Sequence, residues 1–413
     1  MQEKKKRNIK NAPKRLFIFV ICAIAALALV CVSLLLSTWI SHSKKAFHIS
    51  QTISRLEQSG YVALSPVMQL LGYEESEQQY TFTKQDSGVD IIVTYDIEKG
   101  ACYKNGYTFS LTNATIFFDD VCYIQQDTFT EITNATIQNE DGVLSAQTKT
   151  YTSHEWTQDF APLVCHAGGA MRKSDSNTTY TNSLDAVIQN YNLGHRVFEI
   201  DFSLTDDHRL AAVHNWDNFG NMNGIPMSSE EWKNLNRVAE IDCKTILIED
   251  ILDQMVINKD MFIVTDTKTS RVGEEMTEEF RIIRDEALKR DPALLDRIIP
   301  QIYNREMYSV VTGIYPFQSI IFTLYITNET DEEVLAFVAN HDDIKVITTW
   351  GDTGRTHLSA PLADMGKLVY AHTHNNYWDI QRLYQKGVYG IYTDFLTPWD
   401  IEVYNQYASS AGR

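Results

Sequence analysis

Residues 160–413 predict an α/β fold, a single (β/α)8 TIM barrel, and three observations support it. Short β-branched runs such as APLVCH, RVFEIDF, MFIVTDT and SIIFTLY alternate with periodic helical segments such as SLDAVIQNYNLG. Alternation of this kind indicates βαβ units and therefore a parallel sheet. The stretch has about the 250 residues that one such barrel takes. A doubly wound open sheet is the alternative, although neither G-x-G-x-x-G nor G-x-x-x-x-G-K-[ST] follows the first run.

The region before the barrel, residues 46–155, predicts a small α+β domain. It opens with an amphipathic helical stretch, ISRLEQSGYVALSPVMQLLGY, and continues with short alternating stretches such as YTFTK and VDIIVTYDI. Asn105 and Gly106 follow two such stretches, and this dipeptide strongly favours a β-hairpin turn. The region carries no cluster of histidines or acids, so we interpret it as a structural spacer.

The N-terminal segment predicts a membrane anchor. Residues 16–40 contain no charged side chain, and roughly 20 apolar residues suffice for a helix to span a bilayer. Seven of the first fifteen residues are Lys or Arg, which should keep residues 1–15 in the cytoplasm and place the rest of the chain outside the cell. A cleaved signal peptide is the alternative, but its apolar core is typically only about 7–15 residues and no A-x-A-like site follows.

The charge of the chain excludes one class of partner. The net charge is −18, and because the first fifteen residues carry +6, the remainder carries −24. Such an acidic surface argues against nucleic acid as a partner. An anionic substrate would therefore need local positive charge, such as a metal ion.

The cysteines predict no zinc site, because no C-x-x-C spacing is present. Two of the six cysteines fall in the predicted anchor. An extracellular location permits disulfides, and a bridge between Cys102 and Cys122 is plausible because both lie in the small α+β region. We expect Cys165 and Cys243 to be two buried thiols.

Acidic residues at strand ends predict a metal site, since function in a TIM barrel gathers at the C-terminal ends of the strands. Glu199 and Asp201 are two residues apart on one run, so their side chains point to the same side of a strand. Two buried acids are costly unless something neutralises them. Asp266, at the end of a later strand, can supply a third oxygen. Three carboxylates suit Mg²⁺ or Ca²⁺ better than Zn²⁺. The alternative is an ion network with Lys or Arg.

Two histidines and a lysine complete the predicted site. His166 and His214 each follow an apolar run, and two histidines that flank the paired acids indicate an acid–base pair. Lys268 lies two residues after Asp266, hence on the same face, where it can hold a phosphate oxygen. Taken singly, each histidine would more often be a core residue. The lysine, taken singly, would more often form a salt bridge to one of the acids. Residues near other strand ends, which we interpret as packing or rim residues, include Gln301, Tyr303, Tyr325 and His372.

A longer pattern resembles one family specifically. The segments CHAGGA, YTNSLDAV and FEIDFSLTDDHRLAAVHNWD resemble the opening signature of the glycerophosphodiester phosphodiesterase family. VTDTK resembles the E-x-K strand that follows in this family, and GVYGIYTDFL resembles its closing strand. Order and spacing agree over about 235 residues, the whole of the predicted barrel.

The resemblance implies a role for each residue that matches the family's motif. One histidine would take a proton from the nucleophile, which in the family is the substrate's own adjacent hydroxyl, and the other would give a proton to the leaving alkoxide. A divalent cation, Ca²⁺ or Mg²⁺, would neutralise phosphate charge. The matched positions are catalytic His166 and His214, metal-binding Glu199, Asp201 and Asp266, and substrate-binding Lys268 and Asn182.

Three positions depart from the family's pattern. Ala167 stands where the family usually has an arginine that contacts phosphate. Thr181 stands in place of a glutamate, and Asp266 is one methylene shorter than the usual glutamate. Arg172, in the following loop, is the candidate to compensate for the missing arginine. The departures bear on phosphate affinity and substrate identity, and they leave the acid, the base and the metal ligands in place.

The small α+β region has a resemblance of its own. The arrangement GYVALSPVMQLLGY, KNGYTFSL and FDDVCYIQ resembles the stalk domains related to the N-terminal module of copper amine oxidases. In that family the unit is a spacer or a wall-associated module. The resemblance covers about 100 residues and agrees with the interpretation as a spacer.

The function that these residues imply is hydrolysis of a phosphodiester outside the cell. The substrate would be a glycerophosphodiester, a lipid headgroup or a glycerol-phosphate polymer. A phosphatidylinositol-specific phospholipase C shares the barrel, but its bacterial members commonly use another cation in place of a metal, and the three carboxylates argue against it. A surface protein that binds a phosphorylated wall component and has lost catalysis is the other alternative, which Ala167 favours.

Overall fold

The computed structural model of the chain describes residues 52–140, 143–173, 177–217, 224–238, 241–269 and 271–410. The predicted cytoplasmic tail (1–15) and the predicted membrane helix (16–40) lie outside the described residues. Among the helices of the described part, none is long and apolar enough to cross a membrane. The described residues fall into two units, which are divided between Val62 and Ala63.

The first part of the second unit is a small α+β region. Residues 52–58, in the first unit, are helical, and strand β1 (Tyr61–Ala63) lies at the boundary of the two units. The strands that follow are β2 (Glu74–Glu75), β3 (Thr81–Asp86), β4 (Val89–Asp96), β5 (Ala101–Lys104), β6 (Tyr107–Ser110), β7 (Thr115–Phe118), β8 (Val121–Gln125), β9 (Ala135–Glu140) and β10 (Val143–Thr148). The helices are α1 (Leu64–Leu70) and α2 (Gln126–Thr133). Strands β2 to β6 form an antiparallel sheet, β7 pairs with β8, and β9 pairs with β10.

The predicted hairpin at Asn105 and Gly106 is confirmed. These two residues join β5 to β6, and their φ angles are 47° and 93°. A two-residue turn with positive φ at both positions matches the twist of the flanking strands, and asparagine followed by glycine adopts it with little strain.

The core of the small region contains a buried lysine and two free thiols. Lys104, at the end of β5, is 1% exposed, and its ammonium group donates to the carbonyl of Ile132 at 2.8 Å. Cys102 and Cys122 are buried and free, so the bridge considered plausible between them is not formed. Cys165 and Cys243, as expected, are also buried thiols.

The second part of the unit is a closed parallel barrel, which confirms the predicted (β/α)8 architecture. Its strands are β11 (Leu163–Cys165), β14 (Val197–Leu204), β18 (Phe262–Thr267), β19 (Ile298–Ile302), β20 (Ile320–Thr323), β21 (Ile344–Trp350), β22 (Leu368–His372) and β23 (Gly390–Thr393). They pair in parallel in this order, and β23 pairs with β11 to close the ring.

Helices surround the barrel, and short strands extend its loops. The helices are α3 (Trp156–Asp159), α4 (Leu184–Asn192), α5 (Ser229–Leu235), α6 (Ile248–Ile257), α7 (Glu274–Arg290), α8 (Arg305–Ile314), α9 (Asp331–Val338), α10 (Ser359–Asp364), α11 (Tyr377–Gln385) and α12 (Pro398–Ser410). The short strands are β12 (Met171–Arg172), β13 (Asn177–Thr178), β15 (Leu210–Ala212), β16 (Arg237–Val238) and β17 (Ile241–Asp242). Short 3₁₀ helices cover His166–Gly168, Pro292–Arg297 and Thr356–Leu358.

The interior of the barrel is apolar on the N-terminal side of the acidic residues. Each of the eight strands contributes to one buried cluster, whose strand members are Val164, Val197, Phe262, Val264, Ile299, Ile321, Val346, Tyr370 and Tyr392. Trp156, in α3, packs into the same cluster, and its indole NH donates to Ser319 Oγ at 2.9 Å. Because side chains alternate along a strand, Glu199 and Asp201 follow Val197 on the same side of β14. The acidic residues therefore lie between this apolar cluster and the C-terminal face of the barrel.

The small region packs directly against two barrel helices. Tyr107 is fully buried, and its ring lies edge-on to Tyr191 of α4, with 4.8 Å between the ring centroids. Its hydroxyl donates to Gln254 Oε1 of α6 at 3.1 Å. Asp86 pairs with Lys259, just beyond α6, at 3.0 Å. These contacts hold the small region on the side of the barrel, away from the C-terminal ends of the strands.

Candidate active site

The seven predicted site residues converge at the C-terminal face of the barrel. His166 directly follows β11, and Glu199 and Asp201 lie in β14. Asp266, in β18, is the direct parallel partner of Asp201. Lys268 follows β18, Asn182 precedes α4, and His214 follows β15.

Three buried carboxylates form the centre of the site. Glu199, Asp201 and Asp266 each offer one oxygen, and these oxygens lie within 4.8 Å of one another. Glu199 Oε1 is buried and has no hydrogen-bond partner among the described residues. Burial and the nearby charge of Asp201 raise the pKa of Glu199 to about 8. Clustered acids and an orphaned carboxylate oxygen fit a divalent cation of the oxygen-preferring type.

Lys268 forms salt bridges with two of the three carboxylates. Its ammonium group contacts Asp201 and lies 2.6 Å from Asp266 Oδ2. Burial alone would lower the pKa of Lys268, but the charges of Asp266 and Asp201 outweigh burial and raise the pKa well above its usual value. The lysine therefore carries its charge throughout the physiological range.

Asn182 orients one of the acids. Its amide donates to Asp201 Oδ2 at 2.8 Å, and its Oδ1 accepts from the backbone NH of Asp201 at 3.0 Å. Asn182 has a φ of 47°, a left-handed conformation that asparagine tolerates better than most residues. Its contact with substrate stays a prediction, whereas its contact with Asp201 is direct.

His166 has a carboxylate partner that the sequence analysis did not include among the site residues. Its Nδ1 lies 2.8 Å from Asp394 Oδ1, and its Nε2 lies 4.0 Å from Glu199 Oε2. Asn375 donates to the other oxygen of Asp394 at 2.8 Å. Burial alone would lower the pKa of His166, but the hydrogen bond to Asp394 and the charge of Glu199 outweigh it and raise the pKa to about 9. The only signal in the sequence was the position of Asp394 at the end of the last strand.

His214 is electrostatically different from His166. It lies at the rim with only part of its side chain accessible to solvent, and its Nδ1 lies 2.8 Å from Asn215 Nδ2. Partial burial lowers the pKa of His214 from its usual value, although the charge of Asp201 opposes the change. At neutral pH the protein thus offers one protonated and one neutral imidazole, which can give and take a proton respectively.

Tyr180 lies between the two histidines and was missed by the sequence analysis. Its ring is edge-on to His166 at 4.6 Å and to His214 at 5.3 Å, measured between centroids. Tyr180 has a φ of 57°, which is uncommon for an aromatic residue and occurs more often at functional sites. A single tyrosine in a loop carries no sequence signal that could have identified it.

Ala167, which stands where an arginine was expected, lies beside one of the three acids. The backbone NH of Ala167 donates to Glu199 Oε2 at 2.7 Å, and the Ala167 side chain is buried. Arg172, the candidate to compensate for the missing arginine, is engaged elsewhere. Its guanidinium group donates to Asn190 Oδ1 at 2.8 Å and to the carbonyl of Phe395 at 2.5 Å, so it is engaged in holding α4 to the loop after β23.

Aromatic residues from the remaining strands complete the wall. Tyr303 donates its hydroxyl to Asp266, so it is a direct contact of the acid trio and not only a packing residue. Tyr325 donates to Tyr303 at 3.2 Å, and its ring lies 4.9 Å from that of His372. Trp350 stacks on His372 with 5.1 Å between centroids and an interplanar angle of 20°.

A cavity of about 700 Å³ opens beside His214 and Lys268. This volume lies within the range of small-molecule sites, roughly 300–1,000 Å³. Five of its sixteen lining residues are acidic, and they are Asp206, Asp217, Glu274, Glu275 and Glu278. His214 is accessible from this cavity, whereas His166 is not part of its described lining.

Comparison with known proteins finds similarity only among solved structures. No family model matches the chain, and no curated protein sequence matches it. The chain is similar to a glycerophosphodiester phosphodiesterase from Parabacteroides distasonis, with 15% identity and a TM-score of 0.48 over 60% of this chain and 98% of that chain. It is similar to an Oleispira antarctica phosphodiesterase in complex with the product sn-glycerol-3-phosphate, with 14% identity and a TM-score of 0.46 over 60% and 99% of the two chains.

A third similar structure is a glycerophosphodiester phosphodiesterase from Thermotoga maritima, with 14% identity and a TM-score of 0.41 over 60% of this chain and 98% of that chain. At these identities and TM-scores, the likeness does not assign a function by itself. A proposal for the reaction must therefore rest on the residues of the site.

Proposed function

We propose that this chain is a metal-dependent phosphoric diester hydrolase that acts on glycerophosphodiesters or related glycerol-phosphate diesters of lipids or cell wall. The observation that carries the proposal is the buried trio of Glu199, Asp201 and Asp266 beside two histidines of opposite pKa shift. A bound cation and an adjacent acid–base pair are the requirements of metal-assisted phosphodiester cleavage. The motifs that resemble the glycerophosphodiester phosphodiesterase family contain the same residues.

Each residue has a specific task in this reaction. The three carboxylates hold Ca²⁺ or Mg²⁺, which when bound neutralises phosphate charge and lowers the pKa of a neighbouring hydroxyl or water. Asn182 fixes the orientation of the Asp201 carboxylate, and Lys268 holds a phosphate oxygen. Of His166 and His214, one takes the proton of the attacking hydroxyl and the other gives a proton to the leaving alkoxide.

The proposed location is the outer surface of the cell. Residues 16–40 would form a single membrane helix, with residues 1–15 in the cytoplasm, because the segment is uncharged and follows a basic cluster. The catalytic barrel would then lie outside the cell, where its substrates are lipid-derived or wall-derived diesters. Protease treatment of intact cells that removes the barrel but leaves a short membrane-bound fragment would support this location.

A second candidate is a metal-independent phosphodiesterase like the phosphatidylinositol-specific phospholipases. The specific observation in its favour is Lys268, whose ammonium group contacts both Asp201 and Asp266. In this alternative the lysine supplies the positive charge that a metal would otherwise supply. The two candidates differ in their response to a chelator.

Phosphodiesterase assays on the full-length protein test the proposal. We expect turnover of glycerophosphocholine, glycerophosphoinositol or a chromogenic diester that EDTA abolishes and that Ca²⁺ or Mg²⁺ restores. Turnover that EDTA leaves unchanged would establish the lysine-based alternative. Binding of glycerol phosphate without turnover of any diester would identify a binding protein that has lost catalysis.

Two variants test the assigned residues. We expect His214→Ala to lower kcat by about 10²–10⁴-fold, the usual contribution of acid–base catalysis. We expect Glu199→Gln to weaken cation binding in isothermal titration calorimetry, a measurement independent of activity. His357→Ala, which removes an exposed histidine far along the chain, is the matched control and should change neither quantity. A His214→Ala variant with the wild-type rate would contradict the role of this histidine.

A further inference from the structure

A second cavity lies at the C-terminal face, where β19 and β20 end. Its volume is about 770 Å³, and two stretches of chain form most of its wall: residues 303–306, which follow β19, and residues 326–329, which follow β20. We call it the β19–β20 cavity. None of the residues predicted to carry chemistry lies in its described lining.

This cavity adjoins the acid trio through a single phenol. Tyr303 lines the cavity, and its hydroxyl donates to Asp266. Strand β19, which precedes Tyr303, pairs directly with β18, which carries Asp266. Tyr303 therefore belongs both to the wall of the β19–β20 cavity and to the contacts of the acid trio.

The wall of the cavity contains a buried acceptor without a donor. Glu329 Oε1 accepts from Arg305 Nε at 2.9 Å, but Glu329 Oε2 is buried and has no hydrogen-bond partner among the described residues. The Glu329 side chain is only 12% exposed. A buried carboxylate oxygen without a partner costs free energy, so a donor from a ligand would be favourable here.

Other polar groups of the wall are available to a ligand. Asn328 and Ser309 are exposed, and neither side chain has a partner among the described residues. The amide of Asn328 offers two donors and one acceptor, and the hydroxyl of Ser309 offers both functions. A ligand that both donates and accepts at several positions, as a set of hydroxyl groups does, would satisfy these groups.

The charge of the wall disfavours an anionic occupant. Arg305 is its one cation within the described lining, and it is paired with Glu329 and Glu333. Glu306 adds a further negative charge, so the lining has a net charge of −2. Ile326, which is 49% exposed, adds an apolar surface for the carbon skeleton of a ligand.

We propose that the β19–β20 cavity binds an uncharged, polyhydroxylated alcohol group of the substrate, such as a cyclic polyol or a sugar, while its phosphate lies at the acid trio. This specificity rests on the proposed phosphodiesterase function and narrows it to a substrate class. The unpartnered oxygen of Glu329 accepts from one hydroxyl, and Asn328 donates to another. The alcohol bound here is larger and richer in hydroxyl groups than ethanolamine or ethanol.

The test compares three diesters that share the glycerol-phosphate half and differ in the other alcohol: myo-inositol, ethanolamine and ethanol. We expect Asn328→Ala and Glu329→Gln, in the full-length protein, to lower kcat/KM for the inositol diester by about 5- to 10-fold, as loss of one hydrogen bond predicts. Turnover of the ethyl diester should not change. Glu332→Gln, an exposed acid of α9 outside the described lining, is the matched control and should leave all three rates unchanged.

The outcomes separate this specificity from the proposed function. Equal losses on all three diesters, or a loss on the ethanolamine diester alone, would overturn the polyol assignment while leaving the phosphodiesterase intact. If the wild type hydrolyses none of the diesters, the proposed function fails. Binding of free myo-inositol then tests whether the β19–β20 cavity takes a polyol. Saturation-transfer NMR should then show a signal for the wild type that Asn328→Ala reduces, and an undiminished signal in Asn328→Ala would overturn the assignment. Because Asn328 is exposed, its replacement should not unfold the protein.

Discussion

At the scale of single residues, the ionisation of each group depends on the partner that holds it. His166 is 5% exposed, a degree of burial that would normally favour the neutral imidazole. Asp394 reverses this preference because its carboxylate bonds directly to Nδ1 at 2.8 Å. Asn375 in turn fixes Asp394 through the other carboxylate oxygen. A chain of three side chains thus sets both the orientation and the charge of one imidazole.

We expect Asp394→Asn to impair catalysis by changing the state of His166. The negative charge of Asp394 contributes to raising the pKa of His166 to about 9, so its removal should lower that pKa. The limb of the pH–rate profile that reports His166 should therefore move to lower pH, and kcat should fall by about 10²-fold or more, as for other orienting partners of catalytic histidines. Steady-state kinetics between pH 5 and pH 10 measures both effects.

Asp379→Asn is the matched control for this variant, because Asp379 pairs with Arg382 and lies near His374 instead. It should leave the profile unchanged. An Asp394→Asn enzyme with the wild-type rate and profile would show that His166 does not depend on this carboxylate.

The sequence predicted the relative positions of residues that lie close together along the chain. Glu199 and Asp201 could be placed on one face because strand geometry fixes residues two apart. Asp394 could not be paired with His166, since 228 positions separate them and only barrel closure brings β23 beside β11. The partners of Arg172 could not be read from the sequence either. Asn190 lies in the next helix, but Phe395 lies 223 positions away in the loop after β23.

At the scale of elements, one of the apolar runs forms an antiparallel strand beside the barrel and is not one of the eight parallel strands. The run RLAAVH contains β15, which pairs antiparallel with β14 and lies outside the eight barrel strands. Only residues 205–209 separate the two strands, and a parallel connection needs a crossover of a dozen or more residues. The chain therefore turns back as a hairpin, which carries His214 to the rim above Asp201.

Strand β5 contains the least expected side chain of the small region. Lys104 is almost completely buried, and its ammonium group has a backbone carbonyl as its hydrogen-bond acceptor. Burial lowers the pKa of Lys104 from 10.5 to about 8, although the charge of Asp260 opposes the change. Below this pH the folded protein holds a buried positive charge, which opposes folding.

This burial predicts a pH dependence of stability. Between pH 8 and pH 10.5 the unfolded chain binds more protons at Lys104 than the folded chain does, so the free energy of unfolding should rise with pH in this range. The full effect is about 3 kcal/mol for a shift of this size. Urea denaturation of the wild type and of Lys104→Met at pH 7 to 10 measures it as a difference between the two proteins.

Lys99→Met, which removes an exposed lysine just before β5, is the control and should show no such difference from the wild type. The prediction fails if the wild type and Lys104→Met keep a constant difference in stability across this pH range.

At the scale of the whole molecule, the sequence predicted the parts better than their association. The α+β region and the barrel could each be recognised from strand and helix periodicity. Their contact could not, because Tyr107 meets Tyr191 and Gln254 through distant pairings that no local pattern encodes. The proposed division into a spacer domain (46–155) and a catalytic domain (160–413) stays a prediction. What the structure shows is that residues 64–148 and the barrel belong to one compact unit.

This association predicts cooperative unfolding. Tyr107 is fully buried between the small region and the barrel, so Tyr107→Ala should destabilise the protein by about 3–5 kcal/mol, the usual cost of deleting a buried aromatic ring. We expect calorimetry to show one unfolding transition for the full-length wild type and an earlier transition of the small region in Tyr107→Ala. Tyr103→Ala, which removes a tyrosine that is 39% exposed, should keep the single transition. Two separate transitions in the wild type would instead mean that the small region folds independently, as a spacer does.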